Sequence, residues 1–174
     1  EPLNCTVHVR SDACEVWVGT QVLSRAQAAA ARVTGLPPEK VTVHNHLLGG
    51  AFGRRLEIVE VETAVRIAKE VDGPVKVVWT REEDMLHGRY HPITQCKLTG
   101  AFDAANNLVG LHMRISGQSI LASVRPEALQ NGRDPATFQG LNPAGEFQFG
   151  YGIANLLIDH AMRNTHVPPG FWRG

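Results

Sequence analysis

The sequence lacks several features that mark particular classes of protein. Neither charge is in excess, because 17 Lys and Arg residues balance 17 Asp and Glu residues, and this balance argues against binding to nucleic acid or to an anionic membrane surface. No apolar run approaches the roughly 20 residues of a membrane-spanning helix, and the first residues do not resemble a signal peptide. We therefore expect the partner to be a small molecule or another protein.

Cysteines and metal-binding patterns are also scarce. Cys5, Cys14 and Cys96 are odd in number and show no CxxC spacing, which argues against a disulfide framework and against a structural zinc site. We expect buried free thiols. His44 and His46 could face the same side of a strand and bind zinc, but no third ligand is evident in the sequence, so an exposed polar surface is the favoured interpretation.

The chain does contain enough apolar residues for a hydrophobic core. They make up 43% of its 174 residues, which suits one domain or two small ones. In the first half, hydrophobic periodicity predicts strands at 4–10 and 14–20, a helix at 24–34, a strand at 40–48, a helix at 61–71, a strand at 74–80 and a surface helical turn at 81–86. Ser24 and Gln27 form a capping-box pattern at the first helix. The strand at 74–80 is almost wholly apolar, so we expect burial on both faces.

The second half has a different character. It predicts a hairpin of strands at 93–102 and 108–117, an irregular stretch at 119–152 rich in Pro, Gly, Asn and Gln, and a last strand at 155–165. The predicted fold class is α+β, with mixed sheets and helices packed on one face. We expect residues 1–92 to form an α/β part and residues 93–174 a mostly β part with a long irregular connection, the two packed as one unit.

A glycine-rich loop, Gly49-Gly50-Ala51-Phe52-Gly53, precedes the second helical pattern and is followed by Arg54 and Arg55. Glycine permits positive φ and lets another molecule approach bare N–H groups. An anionic or oxo-rich ligand would also meet the positive end of a helix and two guanidinium groups. The spacing is not that of a phosphate loop and gives only part of a dinucleotide-binding fingerprint, so a turn that binds nothing remains the alternative.

Three separated motifs need one explanation: Gly19-Thr20-Gln21, the loop Gly49–Gly53, and Phe171-Trp172-Arg173-Gly174. Together, and in this order, they resemble the large subunits of the molybdenum hydroxylases, the xanthine oxidase and aldehyde oxidase family. The resemblance covers nearly the whole chain and is weakest over residues 121–153. The opening residues Glu1–Thr6 and the triplet Gly53-Arg54-Arg55 resemble most closely the isoquinoline 1-oxidoreductase β-subunit branch.

The resemblance implies an aldehyde oxidase-like molybdopterin-binding fold and a molybdenum atom held by the dithiolene of a pterin, in most bacterial members a cytosine dinucleotide, with no protein side chain ligating the metal. Gln21 and Arg173 would be the catalytic residues of this chain, Gln21 donating an amide hydrogen bond to an oxygen ligand of the metal. The implied cofactor-binding residues are Gln21, Gly49, Gly50, Ala51, Phe52, Gly53, Arg54 and Arg173. Donation by an uncharged amide and by prearranged N–H groups suits that task.

Two departures from the family pattern matter. Purine-oxidising relatives carry a carboxylate four residues after the loop phenylalanine, where this chain has Leu56, so an aldehyde or an N-heteroaromatic substrate is favoured over a purine. The general base of the family is a glutamate in a later segment, beyond Gly174. Glu57, Glu60 and Glu62 do not match it by pattern, and we expect them on a solvated helix face. The chain alone is therefore expected to be inactive.

The implied enzyme hydroxylates its substrate with oxygen from water. Its partners would be the rest of the large subunit, a small subunit that carries the iron–sulfur clusters, and a cytochrome c, with no nucleic acid. The alternative from a different class is a non-catalytic module that binds a pterin or nucleotide or serves subunit assembly. The sequence leaves the compartment open between bacterial cytoplasm and periplasm.

Overall fold

The computed structural model describes residues 2–142 and 148–171. The described residues divide into two compact units, one of residues 2–88 with Phe171 and one of residues 89–170. The sequence places the boundary between residues 92 and 93, and the packing of the two parts as one unit stays a prediction. In this part of the chain, no helix is both long enough and apolar enough to cross a membrane.

The first unit contains one mixed sheet and three helices. Its elements are β1 (Asn4–Val9), β2 (Cys14–Val18), α1 (Leu23–Thr34), β3 (Val41–Asn45), α2 (Val59–Ala68), β4 (Val75–Val78) and α3 (Arg81–His87). The strand order is β3-β2-β1-β4. β1 is antiparallel to β2 and β4, whereas β3 is parallel to β2. The parallel pair requires a crossover, and α1 supplies it.

The hydrophobic core lies between one face of this sheet and the helices α1 and α2. Alternate residues of β1 and β2 face the core, and small or β-branched residues of the helices pack against them; the buried set includes Cys5, Val7, Cys14, Val16, Val18, Ala26, Ala30, Val61, Ala64 and Val65. Alanines allow the two helices to approach the sheet closely. The predicted α+β class, with mixed sheets and helices on one face, is confirmed.

Two details of the predicted elements are wrong. α1 begins at Leu23 with Val22 as N-cap and no side-chain cap, so Ser24 lies inside the helix and does not cap it. The Thr20 hydroxyl accepts a hydrogen bond from Val22 N at 3.2 Å just before the helix. The strand β4 is not buried on both faces. It lies at the edge of the sheet beside β1, and Val78 is 59% exposed. An apolar run can therefore mark an edge strand that has only one neighbour.

The second unit contains a three-stranded sheet in the order β5-β6-β7. Its elements are β5 (Thr94–Phe102), β6 (Leu108–Gly117), α4 (Ile120–Val124) and β7 (Asn155–Met162). The predicted hairpin is present as the antiparallel pair of β5 and β6, and β7 runs parallel to β6. Asp103 closes the hairpin turn, since its carboxylate accepts hydrogen bonds from the N–H groups of Ala105 and Asn107.

Candidate functional site

Gln21 stands at the corner between β2 and α1, with its side chain exposed. Its backbone N–H donates to the carbonyl of Arg55 at 3.1 Å, and its side-chain Oε1 accepts a hydrogen bond from the N–H of Gly53 at 3.1 Å. An amide side chain carries one acceptor group and one donor group. The oxygen of Gln21 is occupied by the hydrogen bond from Gly53, so its NH₂ group can donate to another molecule. The corner and the glycine loop are thus joined by backbone and side chain together.

The glycine loop has the backbone that its sequence predicts. The φ angle is +103° at Gly50, +49° at Phe52 and +88° at Gly53. Residues other than glycine adopt a positive φ only at a cost in conformational energy. A Cβ added at Gly53 would overlap the backbone carbonyl oxygen of Phe171, and one added at Gly50 would lie 2.6 Å from Cε2 of Phe52. The loop therefore requires glycine at both positions.

The tip of this loop offers backbone donors to solvent. Gly49, Gly50 and Phe52 are exposed, and Phe52 is 62% exposed although it is an aromatic residue. Within residues 2–142 and 148–171, the N–H groups of Gly50, Ala51 and Phe52 donate to no protein acceptor. Consecutive unpaired amides are suited to an anionic or oxygen-rich group. The loop thus combines bare donors with an exposed ring.

Arg54 turns from the loop towards α3. Its Nη2 donates to Asp84 Oδ1 at 3.2 Å, and Arg81 Nη1 donates to Asp84 Oδ2 at 3.1 Å. The side chains of Arg54 and Asp84 are only 13% and 11% exposed. These residues and the loop line a cavity of about 300 Å³. The carboxylate of Asp84 therefore holds two guanidinium groups beside the glycine loop.

Arg55 is buried beneath the loop and fastens it to the end of β2. Its backbone carbonyl accepts hydrogen bonds from Thr20 Oγ1 and from Gln21 N, both at 3.1 Å. Its guanidinium donates to the carbonyls of Gly19 at 3.3 Å and Pro2 at 3.4 Å. Sequence reasoning treated Arg55 only as a charge near a ligand, so this fastening role was missed.

The prediction that the three glutamates lie on a solvated helix face is wrong. Glu57 precedes α2, and Glu60 in its first turn is 0% exposed. Glu62 is partly exposed and pairs with Arg32. Burial raises the pKa of Glu60, and the guanidinium of Arg55 opposes that change. The helical periodicity that places Val61, Ala64 and Val65 in the core also turns Glu60 inwards, and the buried Arg55 lies beside it at 3.9 Å.

The structure brings together most of the site residues proposed from the sequence. Gln21, Gly53 and the loop residues between Gly49 and Gly53 form one region, and Phe171 contacts Gly53 there. Arg173 lies outside the described residues, so its approach to this region stays a prediction. Leu56, which stands where the resemblance leads us to expect a carboxylate in a purine-oxidising enzyme, follows the loop and is partly buried.

The two strand histidines have other contacts. His44 stacks on Trp17 with ring centroids 4.9 Å apart, and its Nε2 lies 3.3 Å from Glu15 Oε1. His46 donates its backbone N–H to Val18. No group of three His, Cys, Asp or Glu side chains that could hold a metal ion occurs in the described part of the chain. A molybdenum atom carried by a pterin needs no such group, so the glycine loop remains the candidate site.

Comparison with known proteins relates the part of the chain that contains the site to a protein family. The model of the molybdopterin cofactor-binding domain matches residues 1–127, a range that contains Gln21 and the whole loop. The isoquinoline 1-oxidoreductase β-subunit of Brevundimonas diminuta is 33% identical over 129 residues, which are 73% of this chain and 16% of the relative. The chain therefore spans only a small part of the length of that relative.

Solved structures show the same fold. Quinoline 2-oxidoreductase from Pseudomonas putida superposes with a TM-score of 0.59 at 19% identity, over 68% of this chain and 16% of that one. The aldehyde oxidoreductase from Desulfovibrio desulfuricans superposes with a TM-score of 0.64 at 14% identity, over 91% of this chain and 17% of that one. Together with the match over residues 1–127, these findings show that the chain belongs to the molybdopterin cofactor-binding domain family of the molybdenum hydroxylases.

Proposed function

We propose that this chain forms one wall of the cofactor site in the catalytic subunit of a molybdenum-dependent hydroxylase. In this proposal Gln21 and the loop Gly49–Gly53 contact the molybdenum end of the pterin cofactor, and Arg173 approaches from the end of the chain. Arg54, held by Asp84, contributes positive charge beside the loop. The complete enzyme hydroxylates an aldehyde or an N-heteroaromatic with oxygen derived from water.

The hydrogen bond from Gly53 N to Gln21 Oε1 carries the proposal. It fixes which end of the amide is engaged, so the NH₂ group of Gln21 is the end that a ligand would meet. Because the corner is also tied through Arg55 O to Gln21 N, the donor is held in place before a ligand arrives. Prearranged neutral donors stabilise developing negative charge without adding a charge of their own.

The residues present fit an oxygen-rich cofactor. The exposed loop offers the N–H groups of Gly50, Ala51 and Phe52, which have no acceptor among the described residues, and glycine at positions 50 and 53 permits the backbone that presents them. When bound, the molybdenum centre would supply the two-electron oxidation of the substrate carbon. The tasks of the chain are to hold that group, to aim the Gln21 donor and to exclude water with Phe52.

Leu56 supports the choice of substrate class. An apolar side chain at this position cannot hydrogen-bond the ring nitrogens or oxygens of a purine, so the site lacks a polar contact that would select a purine over a less polar ring. An aldehyde or a pyridine-type ring such as isoquinoline requires fewer polar contacts. The similarity to an isoquinoline 1-oxidoreductase subunit favours the N-heteroaromatic of these two classes.

The remaining parts of the enzyme lie on other segments or chains. We place the general-base glutamate in a later segment of the same subunit, and the iron–sulfur clusters in a small subunit that passes electrons onwards, with a cytochrome c as a further acceptor. The pterin is proposed in its cytosine dinucleotide form, as in a bacterial enzyme. Each of these assignments is inferred from the family.

A second candidate function is a non-catalytic module that binds a pterin or nucleotide, or that serves only in subunit assembly. The exposed donors of the loop suit binding as well as catalysis. The two candidates differ in the reaction, because only the enzyme transfers electrons from an aldehyde or heteroaromatic to an acceptor.

The test uses the polypeptide encoded by the complete reading frame, produced with its partner subunit in cells that make molybdenum cofactor. Molybdenum, cytosine nucleotide and dye reduction with benzaldehyde or isoquinoline are measured, and the present chain serves as the control. The proposal expects stoichiometric molybdenum and substrate-dependent dye reduction only in the complete protein. Cofactor without turnover supports the binding module, and absence of both refutes the enzyme and the pterin-binding module and leaves only the assembly role.

A further inference from the structure

Glu60 is a buried carboxylate that has no role in the cofactor site described above. It is 0% exposed in the first turn of α2. Among the described residues, no side chain donates a hydrogen bond to its oxygens, its own backbone N–H opposes the rise of its pKa, and the cation that pairs with it is Arg55, whose Nη1 lies 3.9 Å from Oε1. A buried charge with so few partners is unfavourable. We therefore infer that Glu60 has a role other than stabilising the fold.

The partner of Glu60 leads directly to the candidate site. Arg55 is itself 4% exposed, and its guanidinium donates to Gly19 O at the end of β2. Its backbone carbonyl accepts from Thr20 Oγ1 and Gln21 N. One residue thus holds three consecutive residues of the corner, Gly19, Thr20 and Gln21, through its side chain and its backbone.

The charge of Glu60 attracts the Arg55 guanidinium from the first turn of α2. The carboxylate lies in the first turn of a helix, where the helix dipole favours negative charge, and α2 packs firmly against β1. Glu60 is therefore fixed by the core, whereas Arg55 lies in the short loop between the glycines and α2. Attraction between the two charges ties that loop to the rigid part of the unit.

We propose that Glu60 and Arg55 form a positioning pair that fixes the Gln21 amide and the Gly53 N–H in the geometry of the cofactor site. The inference rests on the proposed role of Gln21 towards the cofactor. Neither residue touches the ligand in this account. Glu60 holds the Arg55 guanidinium, Arg55 holds residues 19–21, and Gln21 accepts from Gly53.

The test is amide hydrogen exchange measured by NMR on this chain, which needs no molybdenum. Glu60→Gln removes the charge while keeping the shape, and Glu62→Gln makes the same change at a partly exposed position of the same helix, where the side chain pairs with Arg32. In Glu60→Gln we expect the Gln21 and Gly53 amides to exchange about tenfold faster or more, with the amides of β2 changed less than about twofold. Glu62→Gln should leave both groups of amides unchanged.

A second variant covers the case in which Glu60→Gln does not fold. Arg55→Met combined with Glu60→Met replaces the pair by apolar side chains, an exchange that often preserves the stability of a buried ion pair. The proposal expects a folded chain in which Gln21 and Gly53 again exchange about tenfold faster. Normal protection of these two amides in both variants overturns it, and so does an equal increase throughout β1, β2 and α2, which would indicate a purely structural role.

The failure of this inference and the failure of the proposed function can be told apart, because the exchange measurement needs no cofactor. If the complete protein contains no molybdenum but Glu60→Gln loosens the Gln21 corner selectively, the proposed function fails and the pair still fixes the corner, without a role towards a cofactor. If the complete protein is an active molybdenum enzyme but the exchange at Gln21 and Gly53 is unaffected, the positioning pair fails and the function stands.

Discussion

The side-chain oxygen of Gln21 accepts a hydrogen bond from the backbone N–H of Gly53 across 32 positions of sequence. This contact joins the first and second of the three motifs that identify the family. Phe171, the first residue of the third motif, contacts Gly53 from the other end of the chain. Among the described residues, Gln21 of the first motif and Phe171 of the third therefore both contact Gly53.

Replacement of Gly53 should destabilise the chain more than replacement of a comparable glycine. Gly53→Ala introduces a Cβ at φ +88° that overlaps the Phe171 carbonyl, whereas Gly73→Ala has φ +96° but open space around its Cβ. Both variants bear the backbone strain, about 1–2 kcal/mol. Only Gly53→Ala must also displace backbone, so its loss should be at least about 3 kcal/mol. Urea unfolding measures both, and equal losses would contradict the observed close approach.

Gln21→Glu should separate the acceptor role of this side chain from its donor role. The carboxylate can still accept from Gly53 N but carries no NH₂ group. Because the side chain is exposed, the unfolding free energy of this chain should change by less than about 0.5 kcal/mol. In the complete enzyme, kcat should fall about a hundredfold, the effect of removing one prearranged donor. Unchanged steady-state turnover would show that the NH₂ group has no part in the reaction.

Replacement of Asp84 should lower the free energy of unfolding more than replacement of its exposed neighbour Glu83. Asp84→Asn leaves the largely buried Arg54 guanidinium without its carboxylate, so we expect a loss of about 2 kcal/mol in unfolding free energy. The matched control is Glu83→Gln, which breaks only an exposed pair with His87 and should cost about 0.5 kcal/mol or less. Thermal unfolding of the two variants in parallel checks the difference. Similar midpoints would argue that Asp84 does not hold Arg54.

The three cysteines should differ in reactivity. Cys96 is exposed, whereas Cys5 and Cys14 are buried, and burial raises the pKa of Cys5 from 9.0 to about 12 and that of Cys14 to about 11. In the folded chain, a thiol reagent at neutral pH should therefore label Cys96 rapidly and the other two only after unfolding. Rapid labelling of all three without denaturant would contradict the described core.

The raised pKa values of Cys5 and Cys14 also predict how the free energy of unfolding changes with pH in the alkaline range. A pKa that is higher in the folded state means that the folded chain retains protons that the unfolded chain has lost. The contribution of Cys5 and Cys14 is therefore complete below pH 9.0 and disappears progressively as the pH rises towards about 11 to 12. Urea unfolding at a series of pH values should show this decline. Cys5→Ala should make it shallower, and Cys96→Ala should not.

Particular residues show what the sequence can and cannot predict. The hairpins, the helix ending at Gly35 and the positive φ of Gly50 and Gly53 follow from local patterns, since alternation and glycine act within a few residues. The order β3-β2-β1-β4 and the edge position of β4 depend on which strands meet, and periodicity carries no such information. Family motifs supplied Gln21, although nothing local predicts its bond to Gly53.

Glu60 is the clearest failure of pattern reasoning. A glutamate in an amphipathic helix is usually solvated, but Glu60 lies on the same buried face of α2 as Val61, Ala64 and Val65. The cation beside it, Arg55, lies five residues earlier and outside the helix, so the usual pairing at three or four residues does not reveal it. The role of Arg55 was missed for the same reason, because its contacts with Gly19 and Thr20 are made across the fold.

The central claim is that the glycine loop holds the molybdenum cofactor, and metal content tests it most directly. The complete protein is purified as wild type, Gly53→Ala and Gly73→Ala, and molybdenum per polypeptide is measured by mass spectrometry on folded material. The account predicts stoichiometric molybdenum in the wild type and in Gly73→Ala, and a loss of most of it in Gly53→Ala. Equal molybdenum in all three proteins, or none in the wild type, would contradict it.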